Sequence, residues 1–462
     1  MAPYRFTPLS AQDMDFLAWE TPCLPMHGSG VQTFASGALA TSDGGIDFAR
    51  IERAYAAVMH RVPRYRQKLA WMPGERRAVW VDDPHFNLGY HMRHTALPRP
   101  GSEAQLKRLA ARIMEHPLDR SRPLWEVWVV EGLEGDRFAL ISKTHHCILD
   151  GESSVDVLQL ILSRTPDWEI PEAPRYFPRP EPSAGELRAA ALRHAAKLPL
   201  RALGELRSFL ERTEHPLQEV AARVRSLGEL ARWKVRPASE TPLNGPVGPH
   251  RSFDWLELSL DEVRAIRKAR GTSVNDVVLA VVTGAVREFL RSRGARPERL
   301  DFRVSTPVNV RAEQERGRLG NRVSAWVLRL PIDRRSPLEQ LDAIHGSTQR
   351  LKDSHQAAAM EMVTALHEWI PIDIQSAQRG TINLFVTNVP GPQFPMYLLG
   401  SEMLGLYAQA PLIENLGLVI AVMSYNGRLC FGFNADSDRV PDLGSFVSMM
   451  RASFVRLAEA VG

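Results

Sequence analysis

The 462-residue sequence predicts a mixed α/β protein built as two halves, each with its own sheet and helices. Three observations support this. The length exceeds what one ordinary hydrophobic core serves, so two domains of roughly two hundred residues are expected. Helix-period and strand-rich segments follow one another in both halves. Between them lies a stretch of different character, from about residue 166 to 250. The expected divisions are therefore 1–165, a connection over 166–250, and 251–462.

In the first half a helix is expected from about Ile46 to His60. Phe48, Ile51, Tyr55, Val58 and Met59 recur there at spacings of three and four and share one face. A second helix starts after Ser102, where Ser102 and Gln105 form a capping box and Leu106, Leu109 and Ile113 face inward. Leu124–Val130 and Arg137–His145 are rich in β-formers and flank a turn with two glycines, so they read as a hairpin. The chain then swings at Asp150-Gly151 into a helix carrying Val155, Leu158, Ile161 and Leu162.

The connection is dense in proline from Pro166 to Pro182. From Gly185 to Arg236 it reads as basic amphipathic helix, interrupted at Pro199 and Pro216, and Thr241–Pro249 reads as an ordered loop. The second half restarts with a strand at Phe253–Leu258 and two helices. One is capped by Ser259 with Glu262, the other by Ser273 with Asp276. Further strands are expected at Phe302–Thr306, Val323–Leu330, Asn383–Thr387, Gly417–Ser424 and Arg428–Phe433. Asn426-Gly427 is a two-residue hairpin turn between the last two.

Composition narrows the function classes. A net charge of +4 suits an anionic ligand or acidic lipid surface and is too small to argue for nucleic acid. Three cysteines with no CxxC argue against a disulfide framework or a zinc site and favour a reducing cytoplasm. No signal-peptide pattern is evident, and no apolar run reaches the eighteen or so residues that span a bilayer. A cytoplasmic protein, peripheral at most to a membrane or lipid inclusion, is expected. No GxGxxG or phosphate loop is present, which argues against a nucleotide-binding core.

The segment His145-His146-Cys147-Ile148-Leu149-Asp150-Gly151 carries the chemistry. Adjacent strand residues point to opposite faces, so the two histidines cannot share one metal ion. One faces a reaction and the other its support. Histidine titrates near neutrality, so it can take a proton from an attacking hydroxyl and return it to a leaving group. Asp150, where the chain turns, could accept a hydrogen bond or pair with an arginine. Gly151 would permit the sharp bend.

These residues resemble the HHxxxDG motif of CoA-dependent acyltransferases and peptide-synthetase condensation domains. Along nearly its whole length the chain resembles the bacterial wax ester synthase/acyl-CoA:diacylglycerol acyltransferase family. The matching pieces include Pro25-Met26-His27, Pro123-Leu124-Trp125-Glu126, Thr241-Pro242-Leu243-Asn244-Gly245-Pro246, Asn275-Asp276, Gly320-Asn321-Arg322-Val323-Ser324 and Asn388-Val389-Pro390-Gly391-Pro392. The resemblance implies two pseudo-symmetric lobes, like chloramphenicol acetyltransferase, with an active-site tunnel between them. It implies acyl-CoA as co-substrate with no cofactor, and a long-chain alcohol or diacylglycerol as acceptor. It makes His146 the general base and His145, Asp150 and Asn275 its supporting residues, with direct transfer and no acyl-enzyme.

Other residues are weighed against plainer roles. Cys147 reads as a small buried apolar residue. Asn275 lies in the first turn of a helix that Ser273 and Asp276 already cap. Arg66 is the first choice of partner for Asp150, with Arg311 the other candidate. Ser305 and Thr306 are candidate donors to an oxyanion. Two other readings keep the scaffold: a condensation-type enzyme fed by a carrier protein, and a non-catalytic lipid-binding protein.

Overall fold

The computed structural model describes residues 6–74, 77–148, 160–193, 196, 237–309, 323–353 and 380–462. The first half contains β1 (Phe6–Pro8), α1 (Ala11–Trp19), β2 (His27–Ala35), α2 (Phe48–Val58), β3 (Gln67–Trp71) and β4 (Ala78–Asp82). It continues with α3 (Leu88–His91), β5 (Met92–Ala96), α4 (Glu103–Glu115), β6 (Trp125–Leu133) and β7 (Arg137–His145). The second half contains β8 (Arg251–Ser259), α5 (Leu260–Arg270), α6 (Val274–Ser292), β9 (Arg303–Asn309), β10 (Val323–Arg329) and α7 (Pro337–Asp353). It ends with β11 (Leu384–Val389), β12 (Tyr397–Leu398), β13 (Ser401–Gln409), β14 (Leu418–Tyr425), β15 (Arg428–Asp436) and α8 (Leu443–Val461).

The strands form two six-stranded sheets, β12-β13-β2-β7-β6-β5 and β10-β9-β11-β14-β15-β8, with a small sheet β1-β4-β3 beside the first. Local expectations are met where local chemistry decides them. Ser102 with Gln105, and Ser273 with Asp276, both make reciprocal capping boxes. Asn426 and Gly427 take positive φ between β14 and β15, as a two-residue hairpin requires. In the second lobe α6 is buried on nearly every side, and its valines pack with Leu384, Val386, Ile420, Phe431 and Phe433 of the sheet. The helix expected after Gly151 reaches the described residues only at its end, and all but the start of the basic stretch 185–236 lies outside them.

The two lobes are stitched together by exchange of chain. Strands β12 and β13 come from the second half, yet β13 pairs with β2 of the first sheet, Tyr407 opposite Val31 and Gln409 opposite Ser29. The backbone of β13 also lies against the second sheet. A Cβ at Gly432 would sit 1.8 Å from the Ala408 carbonyl oxygen, so β15 needs glycine there. Helix α4 fills the rest of the seam, where Ala110, Ala111 and Ile113 share a core with Ile141, Phe253, Trp255 and Cys430.

The Pro-rich segment is an ordered strap over the small sheet. Arg179 binds Asp82 through both backbone and guanidinium, at 3.0 and 2.7 Å, and Tyr176 donates to the Arg66 carbonyl. The loop from Thr241 is pinned by Asn244, whose carbonyl oxygen accepts from Asn383 Nδ2 at 2.8 Å.

Candidate active site

Strand alternation divides the first sheet into two chemically different faces. His145, Lys143 and Ile141 of β7 share one face with His27, Ser29 and Val31 of β2, and this face meets α4. Thr144 and Ser142 share the other with Gly28 and Gly30. The ladder continues one residue past β7, because the His146 N–H donates to the Met26 carbonyl at 2.8 Å. His146 therefore falls on the second face, in line with Ser142 and Thr144.

The two histidines differ in environment accordingly. His145 is wholly buried. Its Nδ1 accepts the Cys147 N–H at 3.2 Å, which places its own proton on Nε2, and Nε2 lies 3.2 Å from Glu20 Oε2. His146 is half-buried and stacks on Phe16, with ring centroids 4.4 Å apart. Phe16 in turn packs against the cluster of Leu24, Met26, Leu412 and Val419, as does Phe385. Val419 and Phe385 belong to the second sheet, so His146 stands at the junction of the lobes.

Glu20 is the anchor under the pair. Its Oε1 accepts two N–H bonds from Arg120, at 3.1 and 3.0 Å, and its Oε2 accepts the Met26 N–H at 3.0 Å. Burial opposes its ionisation. The facing His145, the Met26 amide and the Arg120 charge outweigh that and hold the carboxyl at about 2. His27 lies directly opposite His145 and donates from Nε2 to the Met114 carbonyl at 3.1 Å. Burial, together with Lys143 and His145, keeps its pKa well below the usual histidine value, so it is neutral. Lys143 is also buried and donates to the Ile113 carbonyl at 2.8 Å and to that of His116. Its pKa is pushed down to about 8 by burial. Lys143 and His27 thus satisfy the orphan carbonyls at the end of α4, where a cation is also favoured by the helix dipole.

Glu20, His27 and Lys143 went unassigned in the sequence reading. Pro25-Met26-His27 marked a resemblance without a role. The visible signal for Glu20 is a lone carboxylate just after Phe16-Leu17-Ala18-Trp19, which a buried site must pair.

Asp150 and Gly151 lie outside the described residues, as do Arg311 and residues 320–322. Arg66, proposed to pair with Asp150, has its guanidinium over the Tyr176 ring at 4.3 Å, and burial lowers its pKa. The Arg64 guanidinium lies over the Trp80 ring, 5.1 Å from its centroid. Burial holds it at about 10, against the opposing influence of Asp13 and Cys147.

Asn275 is half-buried in the first turn of α6, and among the described residues no hydrogen bond joins it to the histidines. Its neighbour Asp276 is fully buried and accepts from Thr348 Oγ1 at 2.7 Å and His345 Nδ1 at 3.0 Å, tying α6 to α7. Ser305 pairs with Phe385 and so lies on the inner face of the second sheet, whereas Thr306 alternates to the helix-covered face. Trp125 is sandwiched between Tyr65 and His91, with centroids 4.6 and 4.7 Å away, and donates to the Tyr65 carbonyl. It packs, as expected.

Cys147 is 2% exposed, and burial raises its thiol well above the usual range, so no thiolate is available for attack. Cys147→Ala is expected to keep near-wild-type turnover; loss of activity in a folded variant would give the thiol a direct part.

Comparison with known proteins gives a consistent result. The family model of the wax ester synthase/diacylglycerol acyltransferase catalytic domain matches residues 9–278, and that of the family's C-terminal domain matches 319–458. A Mycobacterium tuberculosis protein named as a diacylglycerol O-acyltransferase is 32% identical over 461 residues, covering 94% of this chain and 87% of that one. A Mycobacterium bovis protein of the same designation is 32% identical over 436 residues, with 92% and 91% covered. Among solved structures, the wax ester synthase/diacylglycerol acyltransferase of Marinobacter aquaeolei VT8 superposes with a TM-score of 0.69 at 25% identity, covering 99% of this chain and 100% of that one. The first condensation domain of the calcium-dependent antibiotic synthetase shares the fold, with a TM-score of 0.65 at 16% identity over 100% of this chain and 97% of that one.

Proposed function

The chain belongs to the wax ester synthase/diacylglycerol acyltransferase family and is an acyltransferase, and we propose that it esterifies a long-chain alcohol or diacylglycerol from acyl-CoA with His146 as general base. The observation that carries this is the division of labour between the histidines. His145 is buried against the Glu20–Arg120 pair, while His146 is half-buried where the two lobes meet.

In this reading His146 removes the acceptor's hydroxyl proton as the oxygen attacks the thioester carbonyl. The tetrahedral intermediate collapses with loss of the CoA thiolate, which takes the proton back from His146. One C–O bond forms, one C–S bond breaks, and the base is restored. The hydrogen-bonded turn at His145–Ile148 and the Glu20 anchor fix the ring's origin, which is the kind of positioning general-base catalysis depends on. By the family motif Asp150 and Gly151 are supporting residues in this reading. Asn275, in the first turn of α6, orients the reacting groups in this reading. Ser305 on the inner face is a candidate oxyanion donor.

Among the described residues no helix is long and apolar enough to cross a membrane. Peripheral contact with a lipid surface through the basic stretch 185–236 fits water-insoluble acceptors. The test is thiol release from palmitoyl-CoA with hexadecanol and, separately, with diacylglycerol, alongside extraction of the ester. Acceptor-dependent release with matching ester is expected. Release only from a carrier-bound donor, or none from folded protein, would sink the reading.

A further inference from the structure

The central strand β2 has an unusual accessible strip. It lies between β13 and β7 in the middle of a six-stranded sheet, where side chains are ordinarily covered. Yet Gly28, Gly30, Ser142, Thr144 and Ala408 are only half-buried, and all share the face of His146. The space above Gly28 is open: a Cβ there would meet nothing nearer than the Gln409 carbonyl at 3.9 Å. The strip ends abruptly at Gln32, two residues beyond Gly30 on the same face. Gln32 is fully buried and folds back, so that its Nε2 lies 2.5 Å from where a Gly30 Cβ would sit. The amide is held by a single long contact, Nε2 to Ser142 Oγ at 3.4 Å, and among the described residues its Oε1 accepts no hydrogen bond. Behind it Leu140, Phe34 and Phe138 close the core.

We propose that Gly28 floors a channel that takes a substrate's alkyl chain away from His146, and that Gln32, folded over Gly30, is its end stop and sets the chain length accepted. This rests on His146 as the reacting centre. At about 3.3 Å per residue, Gly30 lies roughly 13 Å along the strand from the level of His146. Glycine and hydroxyl-bearing residues leave the room; a buried amide with an unused acceptor and one weak tether closes it cheaply. The shared chemistry is a long alkyl chain, carried by the acyl thioester or by the alcohol.

Binding of each substrate alone separates this inference from the catalytic reading, because no turnover is needed. Calorimetry would compare butyryl- through palmitoyl-CoA, and butanol through hexadecanol, on wild type, Gly28→Val and Gln32→Ala. Gly28→Ala serves as a milder blocker, since its added methyl fits at ordinary contact distance, and Gln32→Leu keeps the stop without the amide. Gly28→Val is expected to weaken the long-chain members by about tenfold or more relative to the short ones, the scale of methylene discrimination in an apolar pocket. Gln32→Ala is expected to move the best chain length upward, and Gln32→Leu to leave it in place. The series that responds identifies whether thioester or alcohol occupies the channel. Uniform loss across all lengths, or long-chain binding unchanged in folded Gly28→Val and Gly28→Ala, would overturn the proposal.

Discussion

Replacing His146 with alanine is expected to lower kcat by about 10²–10⁴ and to leave the fold intact. The ring is half-buried, and the Phe16 stack it loses is worth only about 0.5–1.5 kcal/mol. The His146 N–H to Met26 bond is backbone and survives the substitution. KM for acyl-CoA is expected to change little, because the base acts on the reacting proton and not on the donor. Stopped turnover with unchanged thermal unfolding is the signature. A loss of turnover matched by a loss of fold would instead make His146 structural.

Replacing Glu20 is expected to produce the largest loss of stability. Its carboxylate, 6% exposed, holds Arg120 and the Met26 N–H and faces His145. Arg120 keeps contact with solvent, so the expected cost is that of leaving buried hydrogen-bonding groups at Met26 and His145 unmatched, about 1–3 kcal/mol. Turnover is expected to fall as well, since the His145 turn that carries His146 loses its anchor. The pH dependence has a definite sign. Burial works against the carboxylate, but His145, Met26 and Arg120 depress its pKa from the ordinary 4.5 to about 2. The stabilisation is therefore fully present above 4.5 and is lost as pH falls toward 2. Denaturant unfolding of wild type and Glu20→Gln is expected to show a gap at neutral pH that narrows between those values. A gap that is absent, or independent of pH, would remove Glu20 from its role as anchor.

The sequence revealed most where neighbouring residues decide the outcome. Capping boxes at Ser102 and Ser273, the Asn426-Gly427 turn and the hairpin leading to His145 are all local, and the structure contains them. Opposite faces for the two histidines also followed from the period of a strand. What escaped notice was set by partners far along the chain. Strand β13 joins the first sheet although its partner β2 lies more than three hundred residues earlier, and nothing in its own pattern announces that choice. Glu20 and His145 are likewise joined only by the fold. The short strands β3 and β4 carry too few residues for a clear period, and the strap that covers them reads from composition as a linker. The pairing of Arg66 with Asp150 rests on motif alone, since Asp150 lies outside the described residues; among them the Arg66 guanidinium lies over the Tyr176 ring.

Direct transfer by a single histidine base is tested most simply by rapid mixing of enzyme with palmitoyl-CoA, without and then with hexadecanol or diacylglycerol. The expected result is no thiol burst without an acceptor, rapid thiol release with one, and release slowed by the factor expected for His146→Ala. A stoichiometric burst without acceptor, or acceptor-dependent release undiminished in His146→Ala, would contradict the account.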